Sequence, residues 1–469
     1  MKSSLLAAGA AGVLLVSACG AIPPRQAQPE LRSSVPLDGL QLGATTGSWP
    51  ARSWWQRYED PTLSELIERA LANAPTLAGA QARFDTARAN VRQVGLASGV
   101  HFDAEASSTY QRLSDNGLFP PEFLGFHWYD QTDLGLRARY TFDWWGKQRL
   151  TLQSANDQAQ ANRIETAATG LNLAGLVAQA YFGWQSDQAR LALANQRLAN
   201  LQRLQSLIEA RQQAGLARED ELQQAQLLAS GAREQKLALE QSAELRRVVL
   251  AALLGCAPAQ LPTLSAKPLP TLDATLPGNL SLDLVARRPD IAAAYWRVQS
   301  AVHNLDAIRA GYYPDISISA LAGVSSLEIG KLLRTDSGVP AIGAAIHLPM
   351  FDMGQLKADR ATGQARLAEA LAAYNSAVFD AARDVGQSTL LRQRLQAQSA
   401  EHARQLELLV QQRQRVDARL DSGLSDARAA LEVERQWLDS EDAQTELLAS
   451  TLAADIDLTR ALGGGYQPQ

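Results

Sequence analysis

Apolar and polar residues alternate in four short stretches of this chain. Leu134, Leu136, Ala138, Tyr140, Phe142 and Trp144 alternate with Asp133, Gly135, Arg137, Arg139, Thr141 and Asp143. Phe102, Ala104 and Ala106 alternate with Asp103, Glu105 and Ser107. Later, Ile316, Ile318 and Ala320 face Ser317 and Ser319, while Ile342, Ala344, Ile346 and Leu348 face Ala341, Gly343 and His347. A period of two predicts strands with one apolar face. The opposite face carries charges and glycine, the inward polarity of a membrane barrel, although two hairpins packed on a soluble core share the pattern. Four strands cannot close. Lipid offers no hydrogen bonds to an open edge, and single-chain barrels start at about eight strands. A spanning sheet would therefore be shared among several chains, and the pattern does not choose between two, three and four.

Between the strand pairs the pattern changes. No proline occurs from Lys147 to Ala257 or from Met350 to Gln467, and both windows are rich in good helix formers. Leu191, Ala194, Leu198, Leu201, Gln205 and Ile208 step by three and four, as do Leu406, Leu409, Arg413, Val416 and Leu420. This is coiled-coil spacing with a seam of mixed polarity. A helix from Gly146 to Arg211 would be on the order of 100 Å long at about 1.5 Å per residue. Gly215, after Arg211, and Gly423, after Arg419, interrupt the two windows. Glycine takes positive φ at a helix C-terminus, so each window should fold back as a helical hairpin.

These interruptions expose a duplication. Gly215 and Gly423 are 208 positions apart, as are Gly146 and Gly354, and Leu254-Gly255 and Leu462-Gly463. Ala70-Leu71 before Pro75 matches Leu284-Val285 before Pro289 at an offset of 214. Several matches at one offset define an internal two-fold repeat.

The N-terminus supplies an address. Lys2 precedes an apolar run from Leu5 to Val16, followed by Ser17-Ala18-Cys19. This is an export signal ending in a lipobox-like cysteine. Cleavage before Cys19 and acylation of that residue would make an exported lipoprotein, and Gly20 in place of Asp favours the outer membrane. Cys256 is then left without an intramolecular partner. The net charge of −5 gives no argument for nucleic acid. After the signal no apolar run of about 18 residues could form a spanning helix. His101, His127, His303, His347 and His402 lack metal-ligand spacing, and no nucleotide or hydrolase motif is present. No enzyme and no cofactor are expected.

The chain resembles the TolC-type outer-membrane efflux family, and more closely its lipoprotein branch serving resistance-nodulation-division (RND) pumps. The matching residues are Asp60-Pro61 with Leu63, Leu66-Ile67 and Ala70-Leu71, then Arg287-Arg288-Pro289-Asp290-Ile291. Tyr312-Tyr313-Pro314, Leu348-Pro349-Met350-Phe351-Asp352 and Leu462-Gly463-Gly464-Gly465-Tyr466 continue the match in order. Val100 stands where the second repeat has Pro314, and Tyr466 where the family often has tryptophan. The resemblance implies an α+β membrane protein: a long α-helical periplasmic barrel plus a trimeric transmembrane β-barrel with four strands per chain. The expected divisions are a signal peptide at 1–18, an anchor and equatorial segment at 19–61, a first repeat at 62–265, a linker at 266–279 and a second repeat at 280–469. The implied partners are two further copies in a homotrimer, a periplasmic adaptor (membrane fusion) protein, an inner-membrane RND pump and outer-membrane lipid.

The resemblance also assigns residues. Cys19 is the lipidation site. Gly215, Leu216, Gly423, Leu424 and Ser425 form the periplasmic tips that would meet the adaptor. In the family a carboxylate nine residues beyond the second tip glycine constricts the tunnel, which here is Glu432. A second acidic layer six residues beyond that glycine is replaced by Ala429. Arg428 occupies the place of an apolar gate residue. Three copies of Glu432 would make a negative ring that favours cations and raises its own apparent pKa values. Arg428 lies four residues before Glu432, so the two could pair on the helix surface. Glu219, Asp220 and Glu221 read as helix-start charges, and Asp426 is open between the two roles. The expected function is the passive exit duct of a tripartite efflux pump for small molecules such as drugs. A type I protein-secretion tunnel shares the fold, and a periplasmic coiled-coil lipoprotein would explain the helices but not the strands.

Overall fold

The computed structural model describes residues 30–37, 47–116, 120–271, 280–349 and 352–467. Cys19, the signal segment and most of the expected linker lie outside the described residues.

Helices α1 (Pro61–Asn73) and α2 (Pro75–Ala97) lead to strand β1 (His101–Arg112), a short turn of helix α3 (Pro121–Leu124) and strand β2 (Trp128–Phe142). Helices α4 (Lys147–Gln213) and α5 (Glu219–Leu253) follow. The same order returns as α6 (Leu280–Arg287), α7 (Pro289–Ala310), β3 (Asp315–Ser326), β4 (Ala341–His347), α8 (Met353–Asp421) and α9 (Ala427–Ala461).

Local chemistry sets the boundaries. Asp60 caps α1 by accepting from Thr62 N, and Pro61 fills the first helical position, where no amide bond is lost. Pro75 and Pro289 separate the paired short helices in each repeat. The alternation in sequence runs on to Trp144, but β2 ends at Phe142. The Asp143 carboxylate accepts from Gln148 N and Arg149 N, both at 2.9 Å, which turns the chain into α4. Gly146 makes that turn at φ 77°, whereas Gly354 lies inside α8, so this glycine pair is not conformationally equivalent.

Four helices end in the same way. Leu216 N–H donates to Arg211 O at 2.8 Å, and Gly215 N–H donates to Gln212 O at 2.9 Å. The offset-208 bonds are Leu424 to Arg419 and Gly423 to Leu420, at the same two distances. Cys256 to Ala251 and Gly464 to Thr459 repeat the pattern at the ends of α5 and α9. These are Schellman turns, each needing a residue at positive φ. At the last two, glycine is also required by space. A Cβ on Gly255 would lie 2.8 Å from Asn73 O, and one on Gly463 would lie 2.1 Å from Arg287 O. Asn73 and Arg287 are themselves the last residues of matching helices, α1 and α6. The duplication therefore extends to tertiary contacts.

The strands form one antiparallel sheet in the order β1-β2-β3-β4. Its register sorts the side chains. Phe102 pairs with Ala138, Ala104 with Leu136 and Ala106 with Leu134. Leu134 then meets Val324, Tyr140 meets Ile318 and Phe142 meets Ile316, which meets Ile346. One face is apolar across all four strands from Leu134 to Phe142 of β2, and beyond Leu134 it carries a polar row of Ser108, Thr132 and Ser326, then Asp130 opposite Tyr110. The other holds His101, Asp103, Glu105, Arg137, Arg139, Ser317 and Ser319, with Leu321 as an apolar intruder. β3 runs on through Leu321–Ser326, beyond the alternating residues, because small Ala322 and Gly323 pair closely with Leu136 and Gly135.

The chain divides into two compact units. One joins Phe84–Ala161 to Ala294–Ala373 and contains the sheet. The other joins Leu31–Arg83, Asn162–Ala293 and Tyr374–Gln469. Each unit draws on both repeats. The core of the second packs Trp54, Trp55, Tyr58, Leu63, Leu66 and Ile67 against Tyr181, Phe182, Leu250 and Ile456. Two carboxylates, buried Asp455 and half-buried Asp60, fix its N-terminal segment. Asp455 accepts from Tyr58 Oη at 2.8 Å and from Arg57, and Asp60 accepts from Tyr181 Oη at 2.6 Å and Lys267 Nζ at 2.7 Å.

Candidate functional site

The candidate site lies at the two hairpin tips of the second unit. The first hairpin has an apolar core: Leu201, Leu204 and Ile208 of α4 interlock with Leu222, Ala225, Ala229 and Ala232 of α5. The seam uses Leu204 where the heptad steps pointed to Gln205, while Leu201 and Ile208 on either side keep their expected places. On α8 the residues Leu406, Leu409, Arg413, Val416 and Leu420 are all half-buried. Arg413 belongs there because its guanidinium lies 4.8 Å from the Trp437 ring centroid.

Gly215 and Gly423 take φ 74° and 69° with open space around them. The next residues project outward: Leu216 is 71% exposed and Leu424 is 79% exposed. Ser425 is half-buried. A Schellman turn commonly folds this residue back onto its own helix, so two exposed leucines at equivalent places call for a reason outside the hairpins.

The tip charges are distributed unexpectedly. Arg428 does not pair with Glu432. Its Nη1 donates instead to Glu221 Oε2 at 2.8 Å, across to the other hairpin. Glu221 serves both as a helix-start charge, accepting from Arg218 N, and as this partner, and Arg428 holds its carboxyl below the usual range. Asp426 caps α9 by accepting from Ala429 N at 3.0 Å, and Arg211 Nη1 lies 3.4 Å from it. At their tips the two hairpins are thus joined by two ion pairs.

Deeper along α9 most carboxylates face a guanidinium. Arg435 clasps Glu432 through Nη2 at 2.6 Å and Nε at 3.1 Å, and its Nη1 reaches Asp439 at 2.7 Å. Arg197 of α4 also reaches Asp439, at 3.0 Å. Arg190 grips Asp442 at 2.8 and 3.0 Å. Glu434 instead accepts from the Asn200 amide at 2.9 Å. Within the chain Arg435 therefore holds the Glu432 carboxyl below its ordinary pKa, opposite in direction to the mutual repulsion expected of a bare acidic ring. Burial pushes Asp439 up despite its two arginines. Arg435 was not among the residues singled out from sequence. Its spacings of three from Glu432 and four to Asp439 were the available signal. The α4–α9 seam is polar where the α4–α5 seam is apolar.

Among the described residues, no group of three or more His, Cys, Asp or Glu side chains could hold a metal ion, and no helix is long and apolar enough to cross a membrane. The sheet, the duplicated hairpins and the tips have counterparts in known proteins. The model of the family described as "Outer membrane efflux protein" matches residues 66–256 and 280–464. The chain belongs to this outer membrane efflux family. This efflux protein is 31% identical over 485 residues to the multidrug resistance outer membrane protein MdtQ of Escherichia coli O157:H7, covering 97% of both chains. Its fold superposes on the outer-membrane channel OprN with a TM-score of 0.85 at 25% identity, over 96% of this chain and 100% of that one. The outer membrane protein VceC of Vibrio cholerae gives 0.78 at 29% identity, over 89% and 100%. These neighbours are TolC-type channels, α+β proteins of long helices with a small β domain, and the family consists of channels rather than enzymes.

Proposed function

We propose that this efflux protein is the outer-membrane exit duct of a tripartite pump, assembled as a homotrimer and passively conducting small molecules such as drugs. The observation that carries this is the sheet. Among the described residues its apolar face is uncovered, with Phe102 67% and Ile342 78% exposed, and no strand pairs with the outer sides of the edge strands β1 and β4. Aromatic side chains stand at both ends of that face: Tyr110 stacks on Trp128 with centroids 5.1 Å apart, and Tyr140 meets Phe142 at 5.0 Å. The apolar run from Leu134 to Phe142 spans roughly 26 Å along the strand, or about 19–22 Å of height at a tilt of 35–45°, a little less than the apolar band of about 25 Å on outer-membrane barrels. A polar row of Ser108, Thr132 and Ser326 separates it from the Trp128 end. Three copies would supply twelve strands and remove both edges.

In this reading the helical hairpins extend into the periplasm, and Gly215-Leu216 and Gly423-Leu424-Ser425 meet the adaptor protein. Glu432 and Arg428 lie at the narrowing. Cys19 is a second attachment beside the strands. The relatives named for multidrug resistance favour drug export over protein secretion. The protein purified in detergent should have the mass of three chains. With Cys19→Ser behind a conventional signal it should still need detergent for extraction. A monomer, or release of that variant by salt alone, would instead support a tethered periplasmic coiled coil.

A further inference from the structure

We infer that Arg435 sets the ion preference of the tip passage by neutralising Glu432, so that the native constriction is charge-balanced rather than an acidic ring. The inference rests on the reading of Glu432 as a constriction residue. It follows from the inventory around that carboxylate. Glu221 is met by Arg428 at 2.8 Å, Glu432 by Arg435 at 2.6 and 3.1 Å, and Asp439 by Arg435 at 2.7 Å and Arg197 at 3.0 Å. These three acids face three guanidinia, while Glu434, two residues on from Glu432, faces the Asn200 amide.

Arg435 differs from the others in touching two carboxylates at once. A guanidinium's planar fork suits such a site, since one edge can take both oxygens of Glu432 while the remaining donor reaches Asp439. The contribution of the two carboxylates to this pair is unequal. Without Arg435, Asp439 would keep Arg197, which approaches from α4. Glu432 would keep the neutral Gln436 amide at 3.1 Å and, without contact, the charge of Arg428, which is already engaged with Glu221. Loss of this one arginine therefore uncovers one full negative charge per chain, and three in a trimer, at the narrowest level of the duct. Loss of Glu432 does the reverse and uncovers a positive charge shared only with Asp439. Rings of like charge in a narrow aqueous pore govern which ions enter, so the two losses should move selectivity in opposite directions.

The test is the reversal potential in planar bilayers across a potassium chloride gradient, for the full-length protein and its variants. The wild type should discriminate weakly between potassium and chloride. Arg435→Gln should raise the cation preference severalfold, Glu432→Gln should shift it toward chloride, and the double variant should return close to wild type. Arg435→Lys keeps the charge but loses the fork, and should stay near wild type. It also serves if Arg435→Gln fails to assemble, because Glu432→Gln with Arg435→Lys still reports the sign of the uncovered charge. A strongly cation-selective wild type that Glu432→Gln merely makes unselective would overturn the masking while leaving Glu432 in the constriction. Conducting channels whose selectivity none of these variants moves would overturn the placement of Glu432 as well.

Discussion

Arg428 and Glu221 lie 207 residues apart in sequence, yet their side chains meet at 2.8 Å and join the two hairpin tips of one chain. The repeat relates Arg428 to Asp220 and Asp426 to Arg218, so the charges are exchanged between the two tips. In the first tip they satisfy each other, with Arg218 2.6 Å from Asp220, and in the second they reach across to Glu221 and Arg211. If widening of the tips slides one hairpin past the other, this pair resists it. Arg428→Glu should increase channel conductance, and Arg428→Glu with Glu221→Arg should return it toward wild type. An exposed pair biases such an equilibrium only weakly, so the change should not exceed about fivefold. Equal conductance in all three proteins would remove the pair from gating.

The exposed leucines predict a separation of stability from function. Leu216→Ser and Leu424→Ser remove no packing, so thermal unfolding should move by no more than about 0.5 kcal/mol. Drug resistance restored by the gene in a deletion strain should nevertheless fall, most in the double variant. Full resistance with both leucines replaced would mean that the adaptor does not use them.

Two glycines of similar backbone conformation should respond differently to alanine. Gly215 has φ 74° and empty surroundings, so Gly215→Ala should cost about 1 kcal/mol, the left-handed penalty alone. Gly463 has φ 86° and would place its Cβ 2.1 Å from Arg287 O. Gly463→Ala should cost at least about 2 kcal/mol more, because backbone must move as well. Comparison of melting temperatures in detergent decides the ordering.

Asp60 gives a pH dependence with a defined sign. Burial alone would raise its pKa, but hydrogen bonds from Lys267, Tyr181 and Thr62 outweigh it and bring the carboxyl below its ordinary 3.8. A folded-state pKa below the unfolded value means stability that is complete above about pH 4–5 and is lost as pH falls through the folded value. Melting temperature should therefore drop below pH 4 in the wild type and less steeply in Asp60→Asn, which should already be destabilised at pH 7. A parallel decline in both proteins would assign the acid sensitivity elsewhere.

Much of the architecture could be read from residue order. Proline-free windows marked α4–α5 and α8–α9, and alternation marked β1 to β4, because helix and strand periods act locally. Trp144 escaped that logic, since the Asp143 carboxylate takes the amides of Gln148 and Arg149 and ends the strand early. Leu321 breaks the alternation of β3, yet the strand continues because its neighbours in β2 are already in place. The tip was less legible. Positive φ at Gly215 and Gly423 followed from their residue type, but the partner of Arg428 lies on another hairpin and no local spacing indicates it. Glu432 has a fixed offset from the tip glycine, whereas the double contact of Arg435 with Glu432 and Asp439 shows only in the folded helix.

Single-channel recording tests the central claim most directly. Purified protein added to a planar bilayer should insert and produce discrete, stepwise conductance, because a closed ring of strands with a polar inner face holds a water-filled path. Detergent-stable trimers that insert and yet show no conductance steps, at any voltage the bilayer withstands, would contradict the account of this chain as a duct.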